Sequence, residues 1–411
     1  MTRPVTGPAG AAVVTVGTEL VSGIAVDTNT AEIAVALARA GVDVREAVSI
    51  GDDVALLADT LRRLVSEFDL VIVTGGLGPT HDDITREAAC SALGLTCERD
   101  AAVVERLRTL TVYHTDARAR EQLLVQADIL RGARVIPAVK GTAPGQIVPT
   151  PRGSLVLLPG PPREMRPMVA SLVAELAGSS PEPYVLRTSG MTESDVQLAA
   201  SDVLADREDV RLTVLAKLGD VRVILFDRGA GAEQLREAGE AIAVRLGDAV
   251  YSSDGSTLPE TVLGLARSRG ATLALAESCT GGMVTAALTD VPGASDVLLG
   301  GVVSYANSVK ARVLGVPEDL LARFGAVSEQ VARAMADGVR DLTGATHTVA
   351  ISGIAGPAGG SADKPVGTVW FALATPEGTT AFLRTFGGDR HAVRERSTVT
   401  ALDTLRRALD S

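Results

Sequence analysis

Ser278 lies between the apolar run Ala271–Ala276 and Cys279-Thr280-Gly281-Gly282, where the next helix should begin. A hydroxyl at a helix start meets unpaired N–H groups that can hold an oxyanion. Such a serine needs a base. His347 begins an apolar strand and His391 begins a helix, so neither suits the role. Lys310 is the alternative, because burial can lower a lysine pKa by up to roughly 3–5 units. It ends the stretch Ser304-Tyr305-Ala306-Asn307-Ser308-Val309-Lys310, in which the Tyr305 hydroxyl could relay a proton or orient the amine. Ser352 and Gly353 to Gly356, at another strand end, could line the same pocket. Ordinary readings stand beside these. Ser278 can cap a helix, Tyr305 can sit at a core edge, and Lys310 can lie on a solvated face. Cys279 offers a thiol, but no histidine adjacent in sequence activates it.

A second chemical stretch is Thr74-Gly75-Gly76-Leu77-Gly78-Pro79-Thr80-His81-Asp82-Asp83, after the apolar run Asp69–Thr74. Its glycines allow a tight turn, and its free amides can hold phosphate oxygens. Asp82 and Asp83 fit such a site if a divalent cation lies between them and the phosphate. Glu19, Asp27 and Asn29 form another acidic loop that a parallel sheet could bring to the same edge. Together they suggest metal-assisted chemistry on a phosphate or pyrophosphate. The plainer alternative is that Asp83 caps a helix and the glycines only turn the chain.

The elements around these residues are legible in outline. Residues 1–175 alternate strands and helices, which predicts a doubly wound α/β sheet with ligands at the strands' carboxyl ends. Residues 180–250 read as a small β-α-β-β-α module with few candidate nucleophiles. Residues 255–411 begin a third, α/β unit: helix Leu258–Arg269, strand Ala271–Ala276, strand Val297–Ser304, helix Ser328–Leu342 and strand Thr346–Ser352. Two further strands and a helix over Ala392–Leu409 close it.

Composition narrows the function. At 411 residues the chain allows two or three domains, and 46% hydrophobic residues can fill their cores. A net charge of −11 and 3% aromatics disfavour nucleic-acid binding and a base-stacking platform. His81, His114, His347 and His391 never approach metal-ligand spacing, which argues against structural zinc. Cys90, Cys97 and Cys279 are scattered and odd in number, so no disulfide framework is expected and a reducing compartment is. Ala9–Val16 reads as a strand rather than a signal core, since only Arg3 precedes it as a basic lead. The expectation is a cytoplasmic protein without a membrane span.

The motifs also carry a family resemblance. GTELVSG, DTN, TGGLGPTHDDIT, GTAPG (141–145) and LPGPPREM (158–165) resemble the molybdopterin-binding-type domain of the competence/damage-inducible protein A (CinA) family. That likeness implies divalent-metal hydrolysis of ADP-ribose, with Mg, Mn or Co as the ion. It places Asp83 as catalytic, Asp82, Asp83 and Glu19 at the metal, and Asp27, Asn29, Thr74, Gly75, Gly76 and Gly78 on the substrate. Two positions depart from the family pattern: Ala138 replaces an expected Asn and Val125 an expected Lys, which weakens anion recognition. A reduced reading is a domain that binds a nucleotide or molybdopterin-like ligand without turnover.

LAESCTGG, GGVVSYANSVKARVLGV, GAVSEQVARAMADGVR, SGIAGPAGG and KPVGTVW resemble the CinA carboxy-terminal domain, which is similar to nicotinamide-nucleotide amidases. The resemblance implies conversion of nicotinamide mononucleotide (NMN) to nicotinate mononucleotide and ammonia, without a cofactor. It makes Ser278, Tyr305 and Lys310 catalytic. Thr280, Gly281, Ser352, Gly353, Gly356, Arg390 and Arg394 would hold substrate, the two arginines at its phosphate; the ordinary reading of that pair is a solvated helix face. The middle module resembles the family's KH-like spacer, without implying RNA binding, because a Gly-x-x-Gly loop is missing. Small nucleotides are the expected partners, and the likeness suggests a homodimer.

Overall fold

The computed structural model describes residues 10–110, 116–176, 181–217 and 219–410. Arg3, His114 and Ala9 lie outside them. Two compact units fall within Met1–Pro183 plus Phe226–Ala232 and within Tyr184–Leu225 plus Glu233–Ser411.

The first unit contains strands β1 (Ala11–Val16), β2 (Val44–Ile50), β3 (Leu70–Thr74), β4 (Cys97–Arg99), β5 (Asp128–Leu130), β6 (Arg134–Ile136), β7 (Gly145–Pro149) and β8 (Ser154–Leu158). Six form one sheet in the order β2-β1-β3-β8-β7-β6. Strands β1 and β3 are buried along their whole length, as strands covered on both faces must be. On one face Leu57, Leu61 and Leu64 of helix Val54–Glu67 pack with Val14, Val73 and Leu155. On the other, Ile33, Leu37, Met165 and Met168 pack with Val13, Ile72 and Val156. This is the doubly wound layering, but only β2, β1, β3 and β8 run parallel; β7 and β6 continue antiparallel. Strands β4 and β5 pair separately.

The second unit holds two sheets. Strands β9 (Tyr184–Ser189), β10 (Val210–Lys217), β11 (Asp220–Asp227) and β12 (Val250–Ser252) form one, ordered β10-β11-β9-β12. Here β9 is flanked by β11 and β12, both antiparallel to it. The other is built from β13 (Leu273–Glu277), β14 (Leu298–Val303), β15 (His347–Gly353), β16 (Thr368–Thr375) and β17 (Gly378–Thr385), in the order β14-β13-β15-β16-β17. Leu275, Ile351 and Phe371 face helices Leu258–Arg269 and Arg390–Asp410 on one side. Ala274, Ala276 and Ala350 face Val331 and Met335 of helix Glu329–Thr343 on the other.

Register then decides what meets at the sheet's end. Strand β13 is parallel to both neighbours, with Glu277 opposite Val303 and Ile351. The next residues along the three chains are Ser278, Ser304 and Ser352. Three hydroxyl residues therefore stand side by side at carboxyl ends, Ser278 and Ser304 just past their strands and Ser352 at the penultimate position of β15, where open α/β sheets bind ligands. Among the described residues, no helix is long and apolar enough to cross a membrane.

Candidate active site

Ser278 is 9% exposed, and its N–H donates to the Ile351 carbonyl at 2.9 Å. Its hydroxyl does not cap the following helix, Met283–Thr289, whose N-cap is Gly282. The Ser278 Oγ lies instead 3.1 Å from the Lys310 Nζ. Lys310 is 1% exposed, so the solvated-face alternative fails. Helix Asn307–Leu314 carries it inward, beside the buried Leu314. Its other partners are the carbonyls of Ser304 at 2.5 Å and Tyr305 at 3.5 Å. Loss of hydration on burial holds the Lys310 amine below the usual lysine range. A neutral amine has two N–H groups and one lone pair. With three N–H groups Nζ donates to Ser278 Oγ and to both carbonyls; with two it keeps the carbonyls and leaves the lone pair for the serine proton.

Tyr305 is placed differently from a proton relay. Its side chain is 60% exposed, and its hydroxyl accepts a hydrogen bond from Arg390 at 2.9 Å. The direct Lys310–Ser278 contact needs no bridge. Arg390 also donates to the Gly356 carbonyl at 2.7 Å. Arg394 donates to the carbonyls of Cys279 at 3.1 Å and Thr280 at 2.8 Å. Arg394 is therefore tied to the main chain of the serine turn, and Arg390 to the 353–356 loop and the Tyr305 hydroxyl. Ser352 is fully buried and donates to the Ala326 carbonyl at 2.6 Å. Gly353 is the last residue of β15, paired with Val369.

The turn's amides divide sharply. Gly281 N–H donates to the Ser278 carbonyl, and Gly282, Val284 and Thr285 N–H donate to the Glu277 carboxylate. The amides of Cys279 and Thr280 go to no carbonyl among the described residues. They hydrogen-bond to the Cys279 sulfur, and with the amides of Ala355 and Gly356, which also go to no carbonyl, they are the candidate donors for an oxyanion. Gly281 thus drops out as an oxyanion donor. The Thr280 hydroxyl is buried without a hydrogen-bond partner. Burial pushes the Cys279 thiol up to about 11, so it stays protonated at neutral pH and is a poor nucleophile. Glu277, fully buried, is the residue that sequence reading missed. Its only signal was an acid ending an otherwise apolar strand.

The first unit arranges its expected ligands around the glycine corner. Gly75 has φ +107°, and a Cβ there would collide with the Val16 carbonyl, so β1 and this turn touch backbone to backbone. Asn29 donates to Thr74 Oγ1 at 3.1 Å and to the Gly160 carbonyl at 2.7 Å, while its own oxygen is buried without a partner. Thr74 donates to the Pro159 carbonyl at 2.9 Å. Gly76 has φ +63°, and its carbonyl accepts from Thr85 N–H at 3.1 Å.

The carboxylates there are occupied. Asp83 does not cap helix Thr85–Leu93, whose N-cap is Ile84. It accepts from Gly78 N–H at 2.7 Å, Thr80 N–H at 2.8 Å and Thr80 Oγ1 at 2.5 Å, closing the loop on itself. Asp27 accepts from Thr30 N–H and Oγ1 and from Thr15 Oγ1. Asp82 is fully exposed, and hydrogen bonding from Thr80 lowers its carboxyl pKa. The Glu19 carboxylate lies over Gly17. Among the described residues, no group of three or more His, Cys, Asp or Glu is arranged to hold a metal ion. Glu19, Asp82 and Asp83 are thus not gathered as a donor set, and they do not fit the expected divalent cation.

One further proximity was hidden in the sequence. Cys90 and Cys97, read as scattered, bring their sulfurs within 3.1 Å as free thiols. Burial, with hydrogen bonding to Cys90, pushes the Cys97 thiol up to about 12.

Comparison with known proteins adds a context. Residues 255–409 match the family model described as "CinA C-terminal domain", and residues 12–178 match "Probable molybdopterin binding domain". A CinA-like protein of Frankia casuarinae is 42% identical, over 96% of this chain and 95% of the relative. A CinA-like protein of Geobacter metallireducens is 41% identical, over 97% and 98%. The solved structure of competence/damage inducible protein CihA from Agrobacterium tumefaciens shares 40% sequence identity. It covers 38% of this chain and 94% of its own, with a TM-score of 0.37.

Proposed function

Since the chain belongs to the CinA family, we propose that its carboxy-terminal domain is a serine amidohydrolase that converts NMN to nicotinate mononucleotide and ammonia. The observation that carries this reading is the 3.1 Å contact between Ser278 and the buried Lys310.

The chemistry follows from the contacts. Neutral Lys310 takes the Ser278 proton as Oγ attacks the carboxamide carbon. Charge developing on the carbonyl oxygen is met by the N–H groups of Cys279 and Thr280. The C–N bond breaks, the Lys310 ammonium returns its proton to the leaving nitrogen, and ammonia departs. An ester on Ser278 remains. Water, giving a proton to Lys310, attacks that ester, and Ser278 leaves with the proton. Arg394, tied to the serine turn, and Arg390, between Tyr305 and the Gly356 carbonyl, suit the nucleotide's phosphate. Every step uses residues of this chain.

For the amino-terminal domain, Asp83 and Asp27 favour the binding reading over pyrophosphate cleavage. Their oxygens tie loops together, and no metal step is derived. The corner built by Asn29, Thr74, Gly75 and Gly76 suits a nucleotide or molybdopterin-like ligand held without turnover. The test is to incubate purified protein with NMN and with ADP-ribose, each with and without a chelator, and to identify products. Nicotinate mononucleotide and ammonia from NMN in both conditions, with ADP-ribose intact, is the expected result. Metal-dependent AMP formation would overturn the binding reading. Absence of ammonia from NMN would overturn the amidase reading.

A further inference from the structure

A buried carboxylate one residue before the nucleophile has no part in the proton transfers above. Glu277 is 0% exposed at the end of β13. Burying an ionised carboxylate costs several kcal/mol unless hydrogen bonds replace its water. Glu277 has four replacements, all from the segment just beyond the serine. Oε2 accepts from Gly282 N–H at 2.9 Å and Val284 N–H at 3.2 Å. Oε1 accepts from Thr285 N–H at 2.8 Å and Thr285 Oγ1 at 2.7 Å. Its main chain is engaged as well: the Glu277 carbonyl accepts from Ser304 N–H at 2.8 Å and Ser304 Oγ at 3.4 Å. Ser304 in turn offers its carbonyl to Lys310 Nζ. One residue therefore bonds to the turn that follows the nucleophile and to the residue that aims the base.

We propose that Glu277 is a positioning residue for the serine site: its carboxylate sequesters the amides of Gly282, Val284 and Thr285. The turn is thereby held so that Cys279 and Thr280 supply the oxyanion donors and Ser278 faces Lys310. The packing supports this assignment. Gly301 on β14 has no side chain, and a Cβ there would collide with Thr285 Oγ1. Thr285 is thus seated against the neighbouring strand while it donates to Glu277. Without the carboxylate, three buried or half-buried amides lose their acceptor and the turn must rearrange to satisfy them. The serine is covalently next to that turn, and a misplacement of about 1 Å can cost roughly 10²-fold in rate.

The inference rests on the amidase reading, so its test uses two probes. One is steady-state ammonia release from NMN. The other is labelling of Ser278 by a fluorophosphonate, which reports nucleophile activation whatever the natural substrate is. Glu277→Gln keeps the size of the side chain but turns one acceptor oxygen into an N–H donor facing N–H donors. The expected result is a kcat lower by about 10²-fold with KM nearly unchanged, and slower labelling in step. Thr285→Val, which removes one of the four bonds and preserves shape, should lose severalfold in both assays and covers the case in which Glu277→Gln does not fold. A Glu277 that only filled space would be rescued by Gln. Wild-type kcat and labelling in folded Glu277→Gln, or in Thr285→Val if the former does not fold, would overturn the proposal. Normal labelling of the wild type without ammonia release would count against the amidase reading alone, and the labelling comparison would still decide the role of Glu277.

Discussion

Lys310 and Ser278 are 32 residues apart in sequence, yet Nζ and Oγ stand 3.1 Å apart with each residue less than a tenth exposed. Parallel pairing of β13 with β14 brings this about. It aligns the strand ends, and the helix after β14 returns Lys310 towards the serine.

Removing the amine should separate activity from stability. Lys310→Met deletes the base, so kcat for ammonia release should fall by about 10²–10⁴-fold. It also replaces a buried amine with an apolar chain of similar length, so Tm at pH 7 should rise. Ammonia assays and thermal melts on the same preparation check both.

The pH dependence has a definite sign. Burial lowers the Lys310 pKa from 10.5, and the base works only when unprotonated. Wild-type kcat/KM should rise with pH through that lowered value and then level off. Between the lowered value and 10.5 the unfolded chain binds a proton that the native state lacks, so stability should rise with pH there. At any pH below 10.5 part or all of the burial penalty remains, which is why Lys310→Met should melt higher at pH 7. A pH–rate profile alongside melts at several pH values tests both signs.

Tyr305→Phe distinguishes a substrate-side phenol from a proton relay. Its hydroxyl is held by Arg390, so the loss should appear in KM, with kcat changed by no more than about threefold. A collapse of kcat at unchanged KM would restore the relay.

Asp83→Ala should act on the architecture of the first unit. Three donors in the loop 78–83 lose their acceptor, and stability should drop by about 1–3 kcal/mol in denaturant titrations. Chelator should leave the wild-type melting curve unchanged.

Legibility in the sequence followed how local the cause was. Strands β1, β3 and β13 could be read because strands covered on both faces must be apolar throughout. The three-residue, fully exposed β4 has no such pattern, and antiparallel β6 and β7 leave no mark that separates them from parallel strands. At the site, Ser278 and Lys310 were recoverable from type and position. The Tyr305–Arg390 bond, the Cys90–Cys97 approach and the inward turn of Glu277 were not, because each depends on chain segments brought together only by the fold.

The Ser278 hydroxyl is the proposed nucleophile. Its most direct measurement is ammonia release from NMN by Ser278→Ala, compared with wild type at matched folded concentration. Wild type should release ammonia readily and the variant should lose roughly 10⁴-fold or more, with an unchanged melting profile. Turnover by Ser278→Ala within about tenfold of wild type would contradict it.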